Sequence, residues 1–168
     1  IVAPGSSEIE SIQSLKCSDF KDIQSAVSFY LDEHPNIDIQ AACFATAGTV
    51  HLDVFKLANN HWVINKNDVV NALQGVEIEW INDFTAQAFA TTTLGDEDVI
   101  VINQGVVESE KLRLVIGPGT GLGVCGLIMS PSGWLPIAGE GGHSDFAPNT
   151  SLEFEILSLL TKKFVHVA

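Results

Sequence analysis

Residues 76–90 read VEIEWINDFTAQAFA. Val76, Ile78 and Trp80 alternate with Glu77 and Glu79, the period of a half-buried strand. From Phe84 onward the run is rich in alanine and continues as a helix. Asn82 and Asp83 stand at the junction. A strand that passes straight into a helix is a building unit of α/β folds. At the carboxyl end of such a strand, polar side chains face the crevice in which ligands bind. Two readings are open for the pair. Asp83 can N-cap the helix. Alternatively, Asp83 serves as a general base toward a hydroxyl, and Asn82 offers the donor and acceptor that suit a vicinal diol.

Working outward, the same alternation of strand and helix recurs. Residues 1–17 give two short apolar runs, IVAP and SIQSLKC, joined by GSSE, which reads as a hairpin. Phe20, Ile23, Ala26, Val27, Tyr30 and Leu31 share one face of a helix over 19–33, with Pro35 just beyond. IDIQAACFATAG (37–48) is a nearly continuous apolar run, expected to be a central strand buried on both faces. A half-exposed strand follows in TVHLDVFKLAN, and a short helix over 66–74. The pattern predicts an α/β fold with a partly parallel sheet. After Leu94 the texture changes to acidic GDED, a strand VIVINQG and the polar VVESEK. A boundary is therefore expected there, dividing residues 1–94 from 95–168. Further strands are expected in LRLVI and VCGLIM. The last helix starts at Thr150, with Glu153 three residues on as a capping box, and Leu152, Ile156, Leu159, Leu160 and Phe164 as its apolar face.

Bulk composition narrows the function classes. The chain of 168 residues is 46% hydrophobic and 17% charged, so it can bury a core. A formal net charge of −13 argues against nucleic acid or an anionic membrane surface as partner. No apolar run reaches the ~18 residues of a membrane span. Cys17, Cys43 and Cys125 are odd in number and far apart, with no metal spacing. They read as free thiols of a reducing cytoplasm. The chain opens at Ile1 inside an apparent strand, without Met, and ends soon after a helix. Both ends read as cut, so a fragment is expected.

Three further motifs carry chemistry. In VIGPGTGLGV (115–124) glycines alternate at Gly117, Gly119, Gly121 and Gly123 around Thr120. Such a loop lets a phosphate approach backbone amides, or is a plain glycine hairpin. Gly121, Gly123 and Gly126 spell a dinucleotide fingerprint, but no helix follows, and no Walker A sequence occurs. In AGEGGHSDFAPN (138–149), Gly141-Gly142 can bend Glu140 and His143 toward one point. A polar-ligand clamp, a catalytic dyad, a metal site and a solvated loop are all open. Glu140, His143 and Asp145 lie within six residues, but zinc needs a third or fourth ligand, and no Cys or second His is near in sequence. ANNHW (58–62) can cap or line a loop.

Together WINDFTAQAFA, GPGTGLGV, LPIAGEGGHSDFAPN and LANNHW resemble, in order and spacing, the bacterial-type glucokinase family of the hexokinase/actin-like ATPase superfamily. The resemblance implies an actin-like (ribonuclease H-like) domain, with a mixed sheet flanked by helices, and the start of a second α/β domain. It implies that Asp83 is the base for a sugar 6-hydroxyl and that Asn82, Asp83, Glu140 and His143 bind sugar hydroxyls. Gly119, Thr120 and Gly121 would line the nucleotide phosphate site. The implied substrate is glucose or a similar hexose, with ATP and Mg²⁺, no protein-held metal site, and a homodimer as assembly.

Departures from the family pattern are as specific. Its opening Asp-x-Gly-Gly-Thr is absent, as is a further sugar-binding Glu after the last helix. Thr46-Ala47-Gly48 lacks the usual proline. The cysteine-rich motif of related zinc-containing sugar kinases is also missing. The isolated chain is therefore expected to be inactive. The alternatives are a non-catalytic sugar-binding or regulatory module, or a kinase for another hexose or an amino sugar.

Overall fold

The computed structural model describes every residue except Ser7, Gly48, Thr49, Ala58, Asn59, Val107, Ser109, Glu110 and Thr120. Helices α1 (Ile23–Asp32), α2 (Lys66–Ala72), α3 (Asp83–Ala90) and α4 (Ser151–Leu160) are interspersed with strands β1 (Ala41–Thr46), β2 (Val54–Lys56), β3 (Val63–Asn65), β4 (Glu77–Asn82), β5 (Arg113–Pro118), β6 (Leu122–Ser130) and β7 (Gly133–Gly139). The architecture is mixed α/β. Two compact units are present, Ile1–Ile81 and Asn82–Ala168, so the division falls before α3 and not at residue 94. The cause is packing: Phe84, Ala88 and Phe89 of α3 join the core of the second unit.

In the first unit β1 pairs with β4, and β2 pairs antiparallel with β3. Ile23 and Ala26 of α1 pack with Phe55, Trp62, Ile64, Val69 and Leu73. The periodicity of residues 19–33 placed the right face of α1 inward, although the helix begins only at Ile23, where the Asp22 side chain accepts from the Ser25 N–H at 2.8 Å. Trp80 of β4 stacks on Phe44 of β1 with ring centroids 4.7 Å apart and meets Phe55 edge-on at 5.8 Å. Aromatic pairs in these geometries add stabilisation beyond the area they bury. Trp62 Nε1 donates to the Phe20 carbonyl at 3.2 Å, and His61 Nε2 lies 3.1 Å from the same oxygen. His61 and Trp62 thus tie β3 to the chain entering α1.

In the second unit β5, β6 and β7 form one antiparallel sheet in that order. Its inner face, with Cys125 and Leu127 almost wholly buried, packs on Ala88 and on half-buried Phe84, Phe89, Val115 and Trp134. Arg113 Nη1 donates to the Thr91 carbonyl at 2.7 Å, while its guanidinium lies over Trp134 at 4.5 Å, which pins the C-terminus of α3 to the sheet. Thr150 caps α4: its hydroxyl accepts from the Glu153 N–H at 3.3 Å, and Glu153 Oε2 accepts from the Thr150 N–H at 2.9 Å. This is the expected capping box.

Several expectations are corrected. Residues 1–17 make one antiparallel bridge, Val2 to Ile9, and the run after it is not a strand. Strand β1 is exposed on one face and not buried on both; Ala41, Cys43 and Ala45 face outward. VIVINQG forms no strand, and Ile100 and Ile102 are 91% and 97% exposed. A β-branched run needs a ladder partner, and none of the described residues pairs with it. Strands β3 and β7 were not anticipated from the sequence; β3 has only three residues, and β7 is interrupted by Pro136. The apolar face of α4 is exposed, with Leu152 at 66% and Leu159 at 65%, because amphipathic spacing describes what a helix can bury, not what lies against it.

Candidate active site

Strand β4 ends on Asn82 and α3 begins on Asp83 with no intervening turn. Asn82 has extended backbone and serves as the N-cap; its Oδ1 accepts from the N–H of Phe84 at 2.9 Å and of Thr85 at 3.3 Å. The expectation that Asp83 caps the helix is therefore corrected by one residue. Asp83 occupies the first helical position, and one carboxylate oxygen also accepts from the Phe84 N–H at 2.9 Å. The other carboxylate oxygen has no protein partner among the described residues. With Oδ1 engaged in the cap, Asn82 keeps both amide hydrogens to donate.

The glycine motif is the β5–β6 hairpin. Gly117 faces Gly123 and Pro118 faces Leu122 across the pair, and the tip is closed by a bond from the Gly119 N–H to the Gly121 carbonyl at 2.8 Å. Thr120 lies outside the described residues. Side-chain space is open at Gly119 and Gly121: a Cβ at Gly121 would touch nothing, and one at Gly119 would reach only the Gly121 oxygen at 3.9 Å. The hairpin and phosphate-loop readings are thus compatible. The ladder orders the stem, and Gly119 and Gly121 are exposed beyond it.

Residues 141–143 form one 3-10 turn in which the His143 N–H donates to the Glu140 carbonyl at 2.8 Å. A Cβ on Gly142 would come within 1.9 Å of the Leu122 carbonyl oxygen, so only glycine lets this turn lie against the start of β6. The bend does bring Glu140 and His143 together. Glu140 Oε2 is 3.3 Å from His143 Nδ1, and both side chains are exposed, at 85% and 74%. When Nδ1 carries the proton, Nε2 is left as an acceptor. Beyond it, Asp145 Oδ1 lies 3.3 Å from His166 Nδ1, and His166 Nε2 lies 3.1 Å from the His143 carbonyl oxygen.

Asp83, Gly119, Gly121 and His143 line a single cleft of about 580 Å³ in the second unit, together with Phe84, Gln87, Val115, Ile116, Gly117, Pro118 and Leu122. Four of the residues picked from sequence are thus brought to one place. Asn82 adjoins the cleft through Asp83 and Glu140 through its contact with His143, but neither lines it. Gln87 was missed. Its signal was available: it is the one polar side chain after Thr85 in the alanine-rich helix, four residues beyond Asp83 and so on the same face. Among the described residues no three His, Cys, Asp or Glu side chains gather as a metal ligand set.

A family model for Glucokinase matches residues 1–168. The chain belongs to the Glucokinase family. A glucokinase from Hahella chejuensis is 42% identical over 168 residues, covering 100% of this chain and 52% of the relative. A glucokinase from Sinorhizobium medicae is 38% identical over 153 residues, covering 91% of this chain and 45% of that protein. Among solved structures, a glucokinase from an Antarctic psychrotroph superposes with a TM-score of 0.76 at 32% identity, over 92% of this chain and 48% of the other. A Balamuthia mandrillaris glucokinase in complex with glucose shares the fold, with a TM-score of 0.58 at 18% identity over 86% of this chain and 46% of that one. The chain spans about half the length of the glucokinases it matches.

Proposed function

We propose that this chain is the sugar-binding half of an ATP-dependent glucokinase with an actin-like fold, its two units being the small domain and the beginning of the large one. The reaction is transfer of the γ-phosphoryl group of ATP to the 6-hydroxyl of glucose. The observation that carries this reading is the shared cleft, in which the Asp83 carboxylate and His143 stand beside the bare hairpin tip of Gly119 and Gly121.

Each group has a task that its chemistry suits. The Asp83 carboxylate accepts the proton of the 6-hydroxyl as that oxygen bonds to the γ-phosphorus and the bond to the β-phosphate oxygen breaks, releasing ADP. Phosphoryl transfer needs little covalent help from the protein and depends on positioning and charge stabilisation. Glucose is uncharged, so donors and acceptors must hold it. Asn82 donates its amide hydrogens, and His143, oriented by Glu140, presents one ring nitrogen to a hydroxyl. The open backbone at Gly119 and Gly121, with Thr120 between them, receives the nucleotide phosphates. Mg²⁺, arriving with ATP, would supply charge neutralisation at the phosphates.

The test is a chimera in which this chain replaces its matching part of the Hahella chejuensis glucokinase. It is expected to form glucose 6-phosphate from glucose and ATP, in preference to other hexoses and amino sugars. The 168-residue chain alone is expected to show no turnover. A folded chimera that binds glucose without phosphorylating it would overturn the kinase reading in favour of a binding module.

A further inference from the structure

Phe84 follows Asp83 directly, and its ring lies on the backbone of the glycine hairpin. A Cβ at Gly123 would come within 1.9 Å of the ring, and one at Gly117 within 2.6 Å. These two glycines face each other across the β5–β6 ladder, so their missing side chains form one socket spanning both strands. The ring is half-buried there and joins the core built on Ala88, Cys125 and Leu127. The alternating glycines therefore have two separable tasks. Gly119 and Gly121 leave the tip open, whereas Gly117 and Gly123 seat an aromatic ring.

The consequence concerns geometry between two parts of the site. Asp83 is fixed to the Phe84 N–H through one carboxylate oxygen, and Asn82 caps the same N–H. The Phe84 ring then holds that helix start against the hairpin whose tip carries Gly119 and Gly121. Aromatic rings have few rotamers and lose little entropy on fixing. A ring wedged between two glycine positions is thus a stiff spacer.

Resting on the glucokinase reading above, we infer that Phe84 is a positioning residue: seated on Gly117 and Gly123, it sets the separation of the Asp83 carboxylate from the phosphate-binding hairpin tip. It touches no reacting atom. Its removal should therefore leave glucose capture largely intact and impair alignment for transfer, where a shift of about 1 Å can lower the rate about 100-fold.

Two measurements test this. In the active chimera, Phe84→Ala is expected to lower kcat by about 10- to 100-fold with the KM for glucose changed by less than about threefold, and Phe84→Leu to recover part of the loss. Gly123→Ala, whose methyl must expel the ring, should lower kcat similarly. The double variant should be no worse than Phe84→Ala alone, because one device has been removed twice. A kcat within twofold of the parent for Phe84→Ala, or losses that multiply in the double variant, would overturn the inference. The second measurement is urea unfolding of the 168-residue chain with Phe84→Ala, Gly123→Ala and the double variant, where Gly123→Ala should destabilise in the Phe84 background and be tolerated beside Phe84→Ala. An inactive but folded parent chimera would defeat the kinase reading by itself; strictly additive unfolding losses would then still defeat the socket.

Discussion

The Asn82 amide oxygen accepts from the N–H of Phe84 at 2.9 Å, so the residue that ends β4 is also the one that opens α3. Cap and ligand roles can be separated by substitution. Asn82→Ala should lower stability by about 1 kcal/mol, since it leaves the Thr85 N–H without its acceptor, the Phe84 N–H keeping Asp83. Asn82→Asp should preserve stability, because a carboxylate caps as well as an amide, yet weaken glucose binding by removing both donors. Thermal unfolding alongside glucose titration of the active chimera checks both. Unchanged glucose affinity in Asn82→Asp would assign this residue to capping alone.

Leu127 is fully buried beneath α3, in contact with the core that supports the proposed site. Leu127→Ala should lower the stability of the second unit by about 2–5 kcal/mol, the transfer loss plus a cavity contribution. Chemical denaturation followed by hydrogen exchange of the β6 amides reads it directly. A loss below 1 kcal/mol would mean that the sheet and α3 are not packed as described.

The capping carboxylates predict an acid-side weakening of two helices. The Asn149 N–H, and then the Thr150 N–H, hold Glu153 below its ordinary value of 4.5, and the Ser25 N–H holds Asp22 below 3.8. A pKa lowered by folding gives stability that is complete above the unfolded value and is lost as pH falls through the folded one. Hydrogen exchange at the first turn of α4 should therefore accelerate as pH drops below 4.5, after correction for the intrinsic rate. Glu153→Gln should remove that dependence. An unchanged profile in the variant would assign the effect to other carboxylates.

The cysteines should differ in reactivity. Burial, and then the Glu79 carboxylate, push the Cys43 thiol above its ordinary value, whereas Cys125 is 1% exposed. Alkylation of Cys43 should be slow near neutral pH and speed up in alkali, with Glu79→Gln raising its neutral rate, since only the thiolate attacks. Cys125 should react only on unfolding. Rapid labelling of Cys125 in the native chain would contradict the core described here.

How much was legible depended on the kind of interaction. Local patterns held: the apolar face of α1, the strand-to-helix junction at Asn82 and the Thr150–Glu153 box all follow from nearest neighbours along the chain. Glu140 and His143 were also readable, because Gly141-Gly142 joins them within one turn. What failed depended on partners distant in sequence. Val99–Ile102 has strand composition but no ladder, and α4 has an apolar stripe with little against it. Strand β3 escaped notice because its three residues show too little alternation. The seat of Phe84 was invisible because the glycines drew attention as a ligand loop, and nothing local says that a ring from another element will fill the space. The proposed base was assigned the cap by one residue too many, since Asn and Asp are equally good caps and only the backbone dihedrals decide between adjacent positions.

The central claim, that Asp83 accepts the proton of the transferred hydroxyl, is tested most directly by kcat of the Asp83→Asn chimera with glucose and ATP. The amide keeps the shape and an acceptor for the Phe84 N–H, but it cannot serve as the base. The account predicts a fall in kcat of about 100- to 10,000-fold, with glucose still bound. A kcat within tenfold of the parent would contradict it and move the proton to another acceptor.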